Sequence, residues 1–152
     1  MRIFISHANA NDRLVAALER LLKCVSDEKL QLYNSSSLAN GSQPGVNYIE
    51  DIRTQLQSAD MVLAIISEKY LKSTFCLAEL GAAWMTAKKA VPLLWPPVQY
   101  GDLPQVIDRT QAIRISDEEK FDSLSRIFPV TNVAGWVEGK RRPDGRVEDH
   151  GR

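Results

Sequence analysis

A doubly wound α/β fold is what this sequence predicts, and three observations predict it. Five short strand-like segments alternate with helix-like ones between residues 2 and 128, the signature of a parallel sheet covered by helices. Three of the five are unbroken apolar runs, as in strands buried on both faces, and two alternate polar with apolar, as edge strands do. The chain has 152 residues, 44% hydrophobic and 25% charged, which suits one ordinary globular domain.

The first segment, Arg2 to Ser6, reads as an apolar strand. Asn9 to Asp12 offers capping residues for a helix, in which Leu14, Val15, Leu18, Leu21, Leu22 and Val25 form one amphipathic stripe. Leu30 to Tyr33 alternates, as a half-buried strand does. After a long loop, Ile49, Ile52 and Leu56 mark a second helix, and Met61 to Ile66 is a strand buried on both faces. Residues Ser73 to Lys89 are helical, Val91 to Trp95 is a fourth strand, and Pro96-Pro97 ends it. Leu103 to Arg109 reads as a short helix, Ala112 to Ile115 as the fifth strand, and Ser116 caps a last helix through Phe128.

Continuous strands one, three and four belong in the centre, and alternating strands two and five at the edges. The order 2-1-3-4-5 satisfies this: a flavodoxin-like, three-layer fold with a five-stranded parallel sheet and helices on both faces. Its switch point lies between strands one and three, so a ligand crevice is expected beyond their carboxyl ends, near Ser6, His7, Asn9 and Ser67. The domain is expected to occupy residues 1–136. Residues 137–152 are almost devoid of apolar side chains and read as a disordered polar tail.

Nineteen Lys and Arg balance nineteen Asp and Glu, so no basic excess points to nucleic acid or an anionic membrane. With only two Cys (Cys24, Cys76) and two His (His7, His150), a zinc site would need all four in no recognised spacing. Both thiols are expected reduced and buried. No signal peptide is visible, and the longest apolar run, Met61 to Ile66, is far below the roughly 20 residues of a membrane span. A soluble, cytoplasmic protein is the expectation. No G-x-S-x-G, G-x-G-x-x-G or H-E-x-x-H is present, and Gly135 to Lys140 is one residue too short for a phosphate loop.

Two features remain. Between Lys29 and Glu50 there is no charged residue. Such a loop, with its hydroxyls, amides and flexible backbone, reads equally as an ordinary mobile connection or as the lining of a neutral or phosphate-bearing ligand. The second feature is Glu79, the only carboxylate between Glu68 and Asp102. At about 100° per residue, Leu77, Leu80 and Trp84 form the stripe expected to face the sheet, while Phe75, Cys76 and Ala83 lie beside Glu79. No Lys or Arg stands three or four positions away to pair it. A carboxylate so framed has a raised pKa and suits acid–base chemistry; a surface Glu at the helix edge is the competing reading. The helix carries no charge from Leu80 to Ala87, a hint that its outer face contacts another chain.

Over about residues 1–128 the sequence resembles a bacterial Toll/interleukin-1 receptor (TIR) domain. The resemblance is carried by Phe4-Ile5-Ser6-His7 with Asp12, the Gly45-x-x-Tyr48-x-x-x-Ile52 step, Ser58-Ala59-Asp60 and Ile66-Ser67-x-x-Tyr70. Most telling is Ser73-x-Phe75-Cys76-x-x-Glu79-Leu80, where Phe75 stands in place of the family's usual Trp. The resemblance implies a flavodoxin-like fold and, for many members, cleavage of NAD⁺ at the nicotinamide–ribose bond. NAD⁺ is then a substrate; no cofactor and no metal is implied. Glu79 matches the catalytic glutamate, and Ser6, His7, Leu38, Gly41, Gly45, Tyr48, Phe75 and Cys76 are the candidates to hold the nucleotide. Homo-oligomer or filament assembly with other TIR domains, and a separate sensor protein, are the implied partners. A non-catalytic TIR–TIR signalling module is the alternative, and a nucleoside deoxyribosyltransferase-like enzyme a third.

Overall fold

The computed structural model describes residues 1–8, 11–26, 30–34, 48–86, 89–104 and 112–128, with Tyr48 described by its backbone alone. Five strands, β1 (Arg2–His7), β2 (Gln31–Asn34), β3 (Met61–Ile66), β4 (Lys89–Leu94) and β5 (Ile113–Arg114), form one sheet. Their order is β2-β1-β3-β4-β5, and every neighbouring pair is parallel. Ser6 lies opposite Ala64, and His7 opposite Ile65. All six residues of β3 are buried, as a central strand covered on both faces must be.

Side-chain alternation along the strands assigns the helices to layers. Ile3 and Ile5, with Met61, Leu63, Ile65, Val91 and Leu93, face helix α1 (Asp12–Val25), which answers with Val15, Leu18, Leu22 and Val25. The same cluster takes Leu124 and Phe128 from the C-terminal turns. On the opposite face, Phe4 and Val62 meet Ile52 and Leu56 of α2 (Tyr48–Ser58) and Ala83 of α4 (Thr74–Met85). Ala64, Ile66 and Leu94 meet Tyr70 of the one-turn helix α3 (Glu68–Leu71) and Cys76 and Leu80 of α4.

Polar groups fix the ends of these elements. The Arg2 N–H donates to Asp60 Oδ2 at 2.7 Å and the Asp60 N–H to the Arg2 carbonyl at 2.9 Å, which registers the start of β3 against β1. Asp12 and Lys23 sit in the first and last turns of α1, each sign matched to the helix dipole.

Several sequence expectations change. The third expected helix is shorter, Thr74–Met85, because Ser73 caps it and Lys89 already belongs to β4. Helix α3 and a 3-10 turn at Tyr100–Asp102 were not expected; residues 105–109 of the expected short helix lie outside the described ones. The last helix is capped by Asp117, which accepts from the Lys120 N–H, rather than by Ser116. It runs only Glu118–Asp122 (α5) before tightening to a 3-10 turn over Ser123–Arg126. Of the two thiols, Cys76 is buried but Cys24 is exposed on the solvent side of α1. The tail reading, like residues 129–136 of the expected domain, falls outside the described residues. No helix among the described residues is long and apolar enough to cross a membrane.

Candidate functional site

Strand β1 sends successive side chains to opposite faces, so Phe4 and Ser6 point to the α4 side while His7 points toward α1. Beyond β3, the chain turns at Ser67, whose Oγ accepts from the Tyr70 N–H at 3.2 Å and donates to Asn11 Oδ1 at 2.9 Å. That turn tucks the Tyr70 ring completely inside, beneath the start of α4. Ser73 then caps α4 by accepting from the Cys76 N–H at 3.2 Å. With the helix start fixed, positions 76, 79, 80 and 83 share one face (i, i+3, i+4, i+7), and Cys76, Glu79, Leu80 and Ala83 are its buried residues.

Glu79 is therefore inside the domain, only 4% exposed. The Ser6 hydroxyl is hydrogen-bonded to its Oε2. Ser6 Oγ also lies 3.0 Å from Tyr70 Oη, and the Tyr70 hydroxyl is 3.1 Å from the Cys76 carbonyl, to which it can donate. The other carboxyl oxygen, Oε1, is buried and has no hydrogen-bond partner among the described residues. Nor does any described Lys, Arg or His form an ion pair with Glu79. Burial disfavours the charged form and pushes the carboxyl up to about 7; the Ser6 hydroxyl pulls the other way but does not win. Burial raises the Tyr70 phenol and the Cys76 thiol as well, so both are neutral. The result is a carboxyl that titrates near neutrality, with one oxygen held and the other awaiting a donor.

The expected stripe of α4 needs correction. Leu80 packs on the sheet, but Leu77 is only partly buried and Trp84 is 52% exposed. The true inward face is rotated so that Glu79 is one of its buried residues, which decides against a surface Glu at the helix edge. The rotation follows from the small side chains Cys76 and Ala83, which let the helix approach closely. Ser6 and Cys76 come together with Glu79; Phe75, in the first turn of α4, is 37% exposed.

His7 is not brought to Glu79. Its Nε2 lies 2.7 Å from Asn34 Oδ1 and its Nδ1 lies 3.0 Å from the Ala8 carbonyl, with Asp12 Oδ1 at 3.8 Å. The ring is engaged on the α1 face, where strand alternation alone would have put it. Leu38, Gly41 and Gly45 lie outside the described residues, as does the Tyr48 side chain. Tyr70 is the residue that sequence reasoning did not single out for the site. Its signal was Ser67 three residues before it, the spacing of a capping turn that buries the ring.

Among the described residues no group of three or more His, Cys, Asp or Glu could hold a metal. A cavity of about 230 Å³ lies elsewhere, lined by Glu68, Leu71, Lys72, Pro97, Val98 and Asp102. Neither Glu79 nor Ser6 lines it.

Known proteins place this geometry in context. A 2-deoxyribosyltransferase from Bacillus psychrosaccharolyticus superposes with a TM-score of 0.59 at 14% identity, covering 80% of this chain and 90% of that one. A CMP N-glycosidase from Clostridium botulinum gives 0.55 at 16% identity, covering 84% and 100%. The TIR domain of the Toll-related receptor TRR-2 from Hydra magnipapillata gives 0.62 at 16% identity, covering 82% and 95%. At such identities these likenesses establish the fold alone. In sequence, the uncharacterised protein YddK of Bacillus subtilis (strain 168) is 26% identical over 121 residues, 80% of this chain, and the matched part is 45% of that protein's length. The family model for the TIR domain matches residues 3–128, and the chain belongs to that family.

Proposed function

We propose that this TIR domain is an NAD⁺ glycohydrolase that cleaves the nicotinamide–ribose bond, with Glu79 as its catalytic carboxylate. The observation that carries the reading is the state of that side chain. Among the described residues this buried acid has no counter-cation and one unpartnered oxygen, a state costly to the fold, and such costs concentrate where chemistry requires them. The same fold accommodates enzymes that act on N-glycosides, as the names of two of the similar structures state.

The chemistry suits the arrangement. Breaking the C1′–N1 bond returns the bonding pair to the nicotinamide ring, which leaves neutral. Positive charge then develops on the ribose, where ionised Glu79 stabilises it. Oε1 is free to accept a hydrogen bond from a ribose hydroxyl, while Ser6 fixes Oε2. Water adds to the sugar and loses a proton, so NAD⁺ and water give nicotinamide, ADP-ribose and H⁺; an internal nucleophile in place of water gives a cyclic product. On this reading Phe75, which is 37% exposed in the first turn of α4, and Leu38, Gly41, Gly45 and Tyr48 of the uncharged segment between Lys29 and Glu50 are the candidates to hold the nucleotide. Assembly with other TIR domains activates the enzyme, and a separate sensor protein supplies the trigger.

The test is nicotinamide release from NAD⁺ by concentrated protein, followed chromatographically beside Glu79→Gln. Equal release by the two would remove Glu79 from the mechanism. A specific observation favours a second reading, that of a non-catalytic TIR–TIR signalling module. Trp84 and Met85 at the end of α4 are 52% and 74% exposed, an apolar surface suited to another chain. Concentration-dependent assembly with no turnover of NAD⁺ would support that module. Turnover of nucleosides or nucleotides in place of NAD⁺ would support a deoxyribosyltransferase-like enzyme.

A further inference from the structure

Tyr70 takes no part in the proposed reaction, yet its hydroxyl belongs to a chain of contacts that begins at Glu79 and ends at the Cys76 carbonyl. The chain has three links: Glu79 Oε2 to Ser6 Oγ, Ser6 Oγ to Tyr70 Oη at 3.0 Å, and Tyr70 Oη to the Cys76 carbonyl at 3.1 Å. Each link needs one hydrogen between its oxygens. The two hydroxyls supply two, and the carbonyl can only accept. If Glu79 is ionised, Ser6 donates to it and Tyr70 donates to one neighbour only. One close oxygen–oxygen contact then has no hydrogen. If Glu79 is neutral, its own O–H donates to Ser6, Ser6 donates to Tyr70, and Tyr70 donates to Cys76. All three links are filled, in one direction.

We infer that Glu79, Ser6 and Tyr70 form a hydrogen-bond relay that holds the Glu79 proton in the resting domain, with Tyr70 as its positioning residue. This deepens the reading of Glu79 as the catalytic carboxylate. Ser6 is the moving part: its hydroxyl points to Tyr70 when Glu79 is neutral and turns to Oε2 when Glu79 ionises. The proton must depart from the Glu79 end, because the backbone carbonyl at the far end cannot pass it on. Among the described residues, the groups facing Glu79 are Ser6 from β1, Tyr70 from α3 and the Cys76 thiol from its own helix. Burial keeps both the phenol and the thiol neutral, so neither competes for the proton.

The relay gives its two members opposite signs. In Tyr70→Phe the ring still fills its space, Ser6 is released to serve Oε2, and ionisation no longer leaves a link empty. The Glu79 midpoint should fall, by roughly one pH unit, about the worth of one hydrogen bond. In Ser6→Ala the ionised carboxylate loses a charge-assisted donor, a stronger bond than the neutral ones the protonated acid gives up, so the midpoint should rise. The measurement is a ¹³C NMR titration of the Glu79 carboxyl in the full chain without NAD⁺, with circular dichroism to confirm folding. An unchanged or higher midpoint in Tyr70→Phe, or shifts of one sign in both variants, would overturn the relay. If Tyr70→Phe does not fold, Ser6→Ala decides alone: a lower or unmoved midpoint is fatal. Because no turnover is needed, a failed titration leaves the NAD⁺ reading standing, and failed NAD⁺ cleavage leaves the relay standing. Where both hold, the rising limb of the pH–rate profile in Tyr70→Phe moves to lower pH by the same amount as the midpoint.

Discussion

Helices α1 and α4 cover opposite faces of one sheet, and their polarity is arranged in opposite senses. Helix α1 buries Val15, Leu18, Leu22 and Val25 and exposes Asp12, Arg13, Arg20 and Lys23, the arrangement that water and a core dictate. Helix α4 turns its one acid inward, at 4% exposure, and leaves Trp84 and Met85 exposed. The first arrangement stabilises the fold at every position. The second is unfavourable on both sides, which is how a helix looks when its sequence answers to something besides folding.

The sharpest way to break the contrast is at the acid. Glu79→Gln keeps the shape and can donate to Ser6 as the neutral acid does, yet cannot carry charge. NAD⁺ cleavage should fall by about 10²- to 10³-fold or more, the scale of losing one transition-state electrostatic group, as read by nicotinamide release. Across pH, wild-type turnover should climb with ionisation, its midpoint near the about 7 to which burial raises the carboxyl.

Stability should respond in the reverse order. Leu22→Ala opens a cavity in a fully buried site and should cost about 2–5 kcal/mol in chemical denaturation. Met85→Ser, on the exposed end of α4, should change stability by less than about 0.5 kcal/mol; a loss comparable to that of Leu22→Ala would erase the distinction between the helices.

The buried acid also predicts a pH slope of known sign. The folded form holds the Glu79 proton more tightly than the unfolded chain, because the carboxyl lies at about 7 against an ordinary 4.5. Its burial therefore costs little below about 4.5, costs progressively more as pH rises to about 7, and reaches its full effect, about 3–4 kcal/mol, above that. Thermal melts of Glu79→Gln should lack this component and exceed the wild type at pH above 7. A smaller effect is expected at Gly81, where an added Cβ meets nothing within 4 Å. Gly81→Ala should stabilise α4 by about 0.5–1 kcal/mol.

Much of this was legible in the residues. The apolar runs of β1, β3 and β4 set them at the sheet centre, and order and layers followed, because burial on both faces leaves a pattern that local chemistry cannot imitate. Glu79 was also legible as a carboxylate lacking a neighbouring cation. Its true depth was not, since helical phase depends on where Ser73 caps α4 and on how closely Cys76 and Ala83 let it approach. Trp84 misled because a large ring weighs heavily in any apolar stripe, while two small side chains fit the sheet better. His7 was grouped with Ser6 by adjacency, though neighbours on a strand point apart. The place of Tyr70 beside Glu79 stayed hidden, although the residue stands in the Ile66-Ser67-x-x-Tyr70 motif, because its burial depends on a one-turn helix too short to show a period.

The inward Glu79 bears, finally, on how such a domain changes over generations. Nearly every neutral replacement of that acid of similar size spares the fold the desolvation of a charge, so random change at this one position drifts toward greater robustness. A lineage that stopped needing the acid would lose it quickly and would keep the sheet and the helices. Under the proposed reaction, use of the site is what holds an acid at position 79 against that drift, a pressure that a glutamate on the solvent face of α1 would not need.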